Sequence, residues 1–138
     1  MTITHWQGQD TLNLDEKEWL VLLKDKDIFD EIGLSMVSFV YDQPDFQSNA
    51  TEIGEALGGV SQQQVTAWNR GISKKIYKKL RKEPPFNSKG KGGKRWWNGL
   101  FDGDSERVFN ERGKFIWKLR PSLISALSQL RNHEEENL

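Results

Sequence analysis

Gly58-Gly59 and Ser61 lie within four positions of one another and dictate a sharp reversal between two helices. A helical pattern running from about Ala50 to Leu57 meets the glycine pair, which accepts the left-handed backbone that closes a helix. Ser61, with Gln64 three residues on, is a capping box that opens the next helix. That helix is long, and Pro84-Pro85 bars it from continuing past Glu83. Two helices on so short a turn, the second longer and basic, predict a helix-turn-helix.

The second helix and the segment after it carry charge of almost one sign. Between Arg70 and Arg95 there are eleven Lys or Arg residues and a single acid, Glu83, a local balance of +10. The whole chain has 20 bases and 20 acids, so the remainder holds nine bases against nineteen acids and sums to −10. A neutral total therefore covers a strongly polarised molecule. A polyanion is the natural partner of such a segment, because each neutralised phosphate releases condensed counterions. The alternative is an ordinary solvated helix face.

Read at 100° per residue, Val65, Trp68, Ile72, Ile76 and Leu80 fall within about 120° and form the expected core-facing stripe. Gln63, Thr66, Ala67, Arg70, Lys74, Lys78 and Arg81 take the opposite face, while Asn69 falls on the buried flank. This division suits a recognition helix. Gln63 matches adenine and Arg70 matches guanine O6/N7, while Thr66 and Ala67 are small enough to lie against a pyrimidine C5-methyl. These four are the candidate base readers. Lys74, Lys75, Lys78 and Arg81, with Lys89, Lys91, Lys94 and Arg95 of the following glycine-rich loop, are the candidate phosphate contacts. Trp96 and Trp97 are candidates for base stacking, although neighbours in a strand point to opposite faces and one of them belongs to the core. Gly71 marks either a close approach of another backbone or a bend.

Elsewhere the pattern is that of a folded, mainly helical domain. Asp15 and Glu18 form a capping box before Trp19, Leu20, Leu22 and Leu23. A second helix is predicted from about Asp27 to Asp42, interrupted at Gly33, with Ile28, Phe29, Ile32, Met36, Val37, Phe39 and Val40 as its apolar residues and Pro44 as its stop. Residues 45–49 read as a polar turn. Strands are expected near 95–101 and at 114–119, where Phe115, Trp117 and Leu119 alternate, with 102–113 as a long hairpin loop. Pro121 opens a last helix with Leu123, Ile124, Leu127 and Leu130 on its buried stripe. The expected fold class is α+β, mostly helical: a winged helix-turn-helix with a C-terminal helix after the β-hairpin wing. Residues 12–133 are expected to form that single DNA-binding domain, with flexible termini at 1–11 and 134–138.

Composition removes several functional classes. Charged residues at 29% and hydrophobic residues at 36% suit a globular chain better than a disordered one. With no cysteine there are no disulfides and no thiolate zinc site, and a cytoplasmic location is expected. No signal peptide and no apolar run approaching the ~20 residues of a membrane span is present, so no membrane partner is expected. His5 and His133 sit at opposite ends, which leaves no HNH or Ser/His/Asp constellation. The loop at 89–94 lacks the Gly-Lys-Ser/Thr ending of a nucleotide-binding P-loop. The run Asp102-Gly-Asp104-Ser-Glu106 starts like a calcium loop, but Arg107 replaces its glycine and Gly113 its bidentate glutamate. No cofactor, no metal and no catalytic activity of its own are expected.

Several short motifs recur in a familiar order: Thr51-Glu-Ile-Gly-Glu-Ala-Leu-Gly58, Asn69-Arg-Gly-Ile-Ser-Lys-Lys-Ile76, Gly93-Lys-Arg-Trp-Trp97 and Phe115-Ile-Trp-Lys-Leu-Arg-Pro-Ser-Leu123. Their arrangement resembles the winged-helix-like N-terminal modules fused to McrB-type GTPases and HNH nucleases of modification-dependent restriction systems. The resemblance spans about residues 12–130. It implies double-stranded DNA targeting, with C5-modified cytosine as the candidate mark and cleavage supplied by a separate nuclease or GTPase domain or subunit. A free-standing transcriptional regulator and a protein–protein adaptor with a basic docking face are the alternatives.

Overall fold

A computed structural model of the chain describes residues 12–84, 96, 99–102 and 116–136. Expectations for Lys89, Lys91, Lys94, Arg95, Trp97, Phe115, the 103–113 loop and residues 1–11 lie outside the described residues. The described residues form five α-helices and a small antiparallel sheet, an α+β architecture dominated by helix.

Helix α1 (Glu16–Leu23) starts on the expected capping box: Asp15 Oδ1 accepts from the Glu18 amide at 2.8 Å, and Glu18 Oε1 accepts from the Asp15 amide at 3.2 Å. It buries Trp19, Leu22 and Leu23, and it packs on the last helix, α5 (Pro121–Glu136). There the indole of Trp19 donates to Ser122 Oγ at 3.0 Å. Pro121 opens α5 as expected, and the helix continues to Glu136, into the tail expected to fray.

Helix α2 (Glu31–Tyr41) begins four residues later than the sequence suggested, because Asp30 caps it by accepting from the Gly33 amide at 2.8 Å. Residues 25–29 instead make a turn in which the amides of Ile28 and Phe29 both donate to the Asp25 carbonyl. Gly33 does not interrupt the helix. It packs against α4, since a Cβ there would lie 2.9 Å from Ile72 Cδ1. Ile32, counted with the apolar residues of this helix, is 45% exposed.

After α2 the expected polar turn contains a strand. A 3-10 turn at Pro44–Phe46, with Asp45 and Phe46 left-handed at φ 58° and 57°, delivers β1 (Gln47–Ser48). β1 pairs antiparallel with β3 (Trp117–Leu119), Ser48 opposite Trp117. On its other edge β3 pairs with β2 (Phe101–Asp102), Phe101 opposite Leu119, giving the order β1-β3-β2. Trp117 and Leu119 point inward as their alternation predicted, and the Trp117 ring stacks on Phe101 with centroids 5.0 Å apart. The strand expected from residue 95 starts only at Phe101; Trp96, Gly99 and Leu100 precede it in turns.

Helices α3 (Ala50–Ala56) and α4 (Gln62–Leu80) carry the reversal. Asn49 caps α3 by accepting from the Glu52 amide at 2.9 Å, and Ser61 caps α4 by accepting from the Gln64 amide at 3.2 Å. Gly58 and Gly59 take φ 102° and 82°, as the turn requires. α4 ends three residues before Glu83. Arg81 adopts the left-handed conformation, φ 55°, and the Lys82 amide reaches back to the Tyr77 carbonyl at 3.0 Å. This closing turn, not the proline pair, stops the helix.

Candidate nucleic-acid interface

Gly54 is where the turn between the two helices meets α3. A Cβ on it would lie 2.1 Å from the Val60 carbonyl oxygen, and its own carbonyl accepts the amides of Gly59 at 3.0 Å and Val60 at 2.9 Å. The turn is thus folded directly onto the α3 backbone. Thr51 Oγ1 and Gln62 Oε1, 3.2 Å apart, join the start of α3 to the start of α4. The sequence marks this position only by a glycine inside a short helix, where it costs up to ~1 kcal/mol relative to alanine.

On α4 the residues buried are Val65, Asn69, Ile72, Ser73, Ile76 and Tyr77. The expected stripe is therefore rotated: Asn69 is inside as anticipated, Tyr77 is 1% exposed, and Trp68 and Leu80 are only half-buried. Two close approaches cause this. α2 meets Ile72 through Gly33, and the chain at Gly99 meets Ser73, where a Cβ on Gly99 would lie 2.6 Å from Ser73 Oγ. Small groups at both contacts pull that flank of α4 inward.

The rotation changes one predicted site residue. Thr66 is half-buried, and its hydroxyl donates to the Gln62 carbonyl at 2.9 Å, so it lies on the flank rather than on the outer face. Gln63, Ala67, Arg70, Lys74 and Lys78 are exposed and fall in a band about 80° wide along the helix. Gln64 and Lys75 are exposed beside that band, and half-buried Gly71 has, among the described residues, no atom beyond the helix's own backbone within 4 Å of where its Cβ would be.

Seven of the eleven bases in the 70–95 stretch are described, and they divide by partner. Lys79 Nζ lies 2.5 Å from Asp25 Oδ2 and, with the Asp27 amide, holds the Asp25 carboxyl below its usual range. Lys82 donates to the Leu12 carbonyl. These two face the body of the domain. Arg70, Lys74, Lys75, Lys78 and Arg81 are exposed, and no acid pairs with them among the described residues. Arg70, Lys74 and Lys78 follow one another at one-turn spacing, where like charges repel by a few tenths of a kcal/mol per pair.

Trp96 is brought to this row. It is half-buried against Tyr77, ring centroids 5.8 Å apart at 72°, and Lys74 Nζ lies 5.6 Å from the centre of its ring. Among the described residues no group of three or more His, Cys, Asp or Glu is placed to hold a metal ion, and no helix is long and apolar enough to cross a membrane.

No protein family, characterised protein or solved structure matches this chain.

Proposed function

We propose that the chain is a winged helix-turn-helix module that places α4 in the major groove of duplex DNA. In this reading Gln63, Ala67 and Arg70 face base edges, and Lys74, Lys75, Lys78 and Arg81 face phosphates. The sheet around β3 is the base of the wing. The observation that carries the proposal is the exposed row Arg70, Lys74 and Lys78, with no acid paired to it among the described residues. Such a row destabilises a free helix, and phosphates at that spacing relieve the repulsion.

The targeting role in a restriction system follows from the motif resemblance, which also names C5-modified cytosine as the mark. Ala67 remains on the exposed face to receive a C5 substituent, while Thr66 lies to one side with its hydroxyl engaged. A methyl group buried against Ala67 is worth about 0.8 kcal/mol, a preference of roughly fourfold.

The deciding experiment is an affinity panel on one duplex carrying cytosine, 5-methylcytosine, 5-hydroxymethylcytosine or N6-methyladenine. Tighter binding to a C5-modified duplex supports modification-dependent targeting. Equal affinity for all four leaves a general DNA-binding module. Failure to bind any duplex at low salt removes the DNA reading and turns attention to acidic protein partners.

A further inference from the structure

The geometry points to Trp96 as a positioning residue that holds the Lys74 ammonium ready for a phosphate, rather than as a platform for a base. This inference rests on the DNA reading of α4.

The seat of Trp96 is fixed by a turn docked on α4. The Gly99 amide donates to the Trp96 carbonyl at 3.4 Å, and Gly99 sits against Ser73 and Tyr77, where any side chain would collide with Ser73. Tyr77, 1% exposed, meets the Trp96 ring in an edge contact at 5.8 Å. The indole therefore packs on Tyr77 beside the outer row of the helix. Lys74 is the cation of that row that reaches it, at 5.6 Å from the ring centre, within the distance at which an ammonium is attracted to an aromatic face.

Lysine is a flexible point charge, and it meets a phosphate more tightly when its rotamers are already restricted. Arg70 and Lys78, one turn to either side, repel Lys74 and would leave it free to splay. The ring face opposes that. It restrains the ammonium without neutralising it, which an acid in the same place would do. The ring face that Lys74 covers is not presented for stacking on a base.

The test is a double-mutant cycle in duplex affinity. Trp96→Leu should weaken binding about two- to fivefold, as loss of an exposed cation–π contact implies. Trp96→Phe, which keeps an aromatic face, should recover most of that loss. In a Lys74→Ala background Trp96→Leu should add nothing further. An undiminished effect of Trp96→Leu in that background would mean that the ring itself meets the DNA, which overturns the proposal. Should Trp96→Leu not fold, Trp96→Phe with and without Lys74→Ala gives the same test at smaller amplitude. Proton NMR of the free protein supplies a readout independent of DNA. The Lys74 ε-methylene should be shifted upfield by the ring and should return to its ordinary position on loss of the aromatic side chain. An unshifted signal in the native protein overturns the contact. If the shift is present but no duplex binds, the phosphate role falls with the DNA reading and the contact itself stands.

Discussion

The carbonyl oxygen of Val60 occupies the space that a side chain on Gly54 would need. The distance to an added Cβ is 2.1 Å, and the colliding atom belongs to the backbone. A flexible side chain cannot move aside to relieve it. Gly54→Ala should therefore destabilise the fold by about 3 kcal/mol or more, at the top of the range for overpacking. Urea denaturation measures this directly. A variant as stable as the native protein would show that the turn between α3 and α4 is more compliant than the packing implies.

Gly71 makes the opposite case. Among the described residues nothing beyond the helix's own backbone lies within 4 Å of an added Cβ there, and the residue sits inside a 19-residue helix. Gly71→Ala should raise stability by up to ~1 kcal/mol through helix propensity alone. A lower melting temperature for this variant would contradict that.

Trp117 is 4% exposed and stacked on Phe101 at the centre of the sheet. Trp117→Ala should cost ~3–5 kcal/mol, read as a large fall in melting temperature. Unchanged stability with lost DNA binding would move Trp117 from the core to the interface.

Acid sensitivity should arise at two pairs. The Arg131 guanidinium bonds to both carboxylate oxygens of Asp42, at 2.6 and 3.0 Å, and this holds the Asp42 carboxyl below its ordinary 3.8; Lys79 does the same for Asp25. A carboxyl whose folded pKa is depressed contributes stability above its unfolded value, and that contribution disappears as pH falls through the folded value. Asp42→Asn should thus be less stable than the native protein at neutral pH, with the gap closing below pH 3.8. Denaturation midpoints across pH 7 to about 2.5 provide the check, since a gap of constant width would mean that the pair contributes nothing to the pH response.

Binding energetics should separate the two kinds of contact on α4. If α4 docks on DNA as proposed, phosphate contacts from Lys74, Lys75, Lys78 and Arg81 predict a slope of log K against log salt of about −3.6. Lys78→Ala should make the slope shallower by about 0.9 and weaken all sequences alike. Arg70→Ala should cost ~1–3 kcal/mol on the preferred sequence and less on others. Equal, sequence-blind losses from both substitutions would place the whole helix on the DNA backbone.

What could be read in advance was local chemistry. The caps at Asp15 and Ser61, the glycine pair at 58 and 59, the proline opening α5 and the inward alternation of Trp117 and Leu119 each depend on residues a few positions apart. What could not be read depends on distant partners. β1 is two residues long and has no periodicity to detect; it exists because Trp117 and Lys118 pair with it. Arg81 ends α4 in a conformation that sequence rules reserve for glycine. The 3.6-residue period correctly divided α4 into two faces, but the glycine contacts with Ile72 and Ser73 turned the buried one toward Tyr77. For the same reason the charge count could not tell Lys79 and Lys82, which face the body, from Arg70, Lys74 and Lys78.

The central strand of the sheet comes late in the chain. β3 holds β1 on one edge and β2 on the other, and α5, which packs on α1, follows it directly. A ribosome therefore releases α1 and β1 well before the residues that pack on the one and pair with the other. Until β3 arrives, β1 has no strand to pair with, and α1 lacks its contact with α5. Contacts of such long sequence separation are the slow ones to form, so closure of this domain is a late event in its synthesis, and the nascent intermediate exposes the cations of α4 beside an unfinished core.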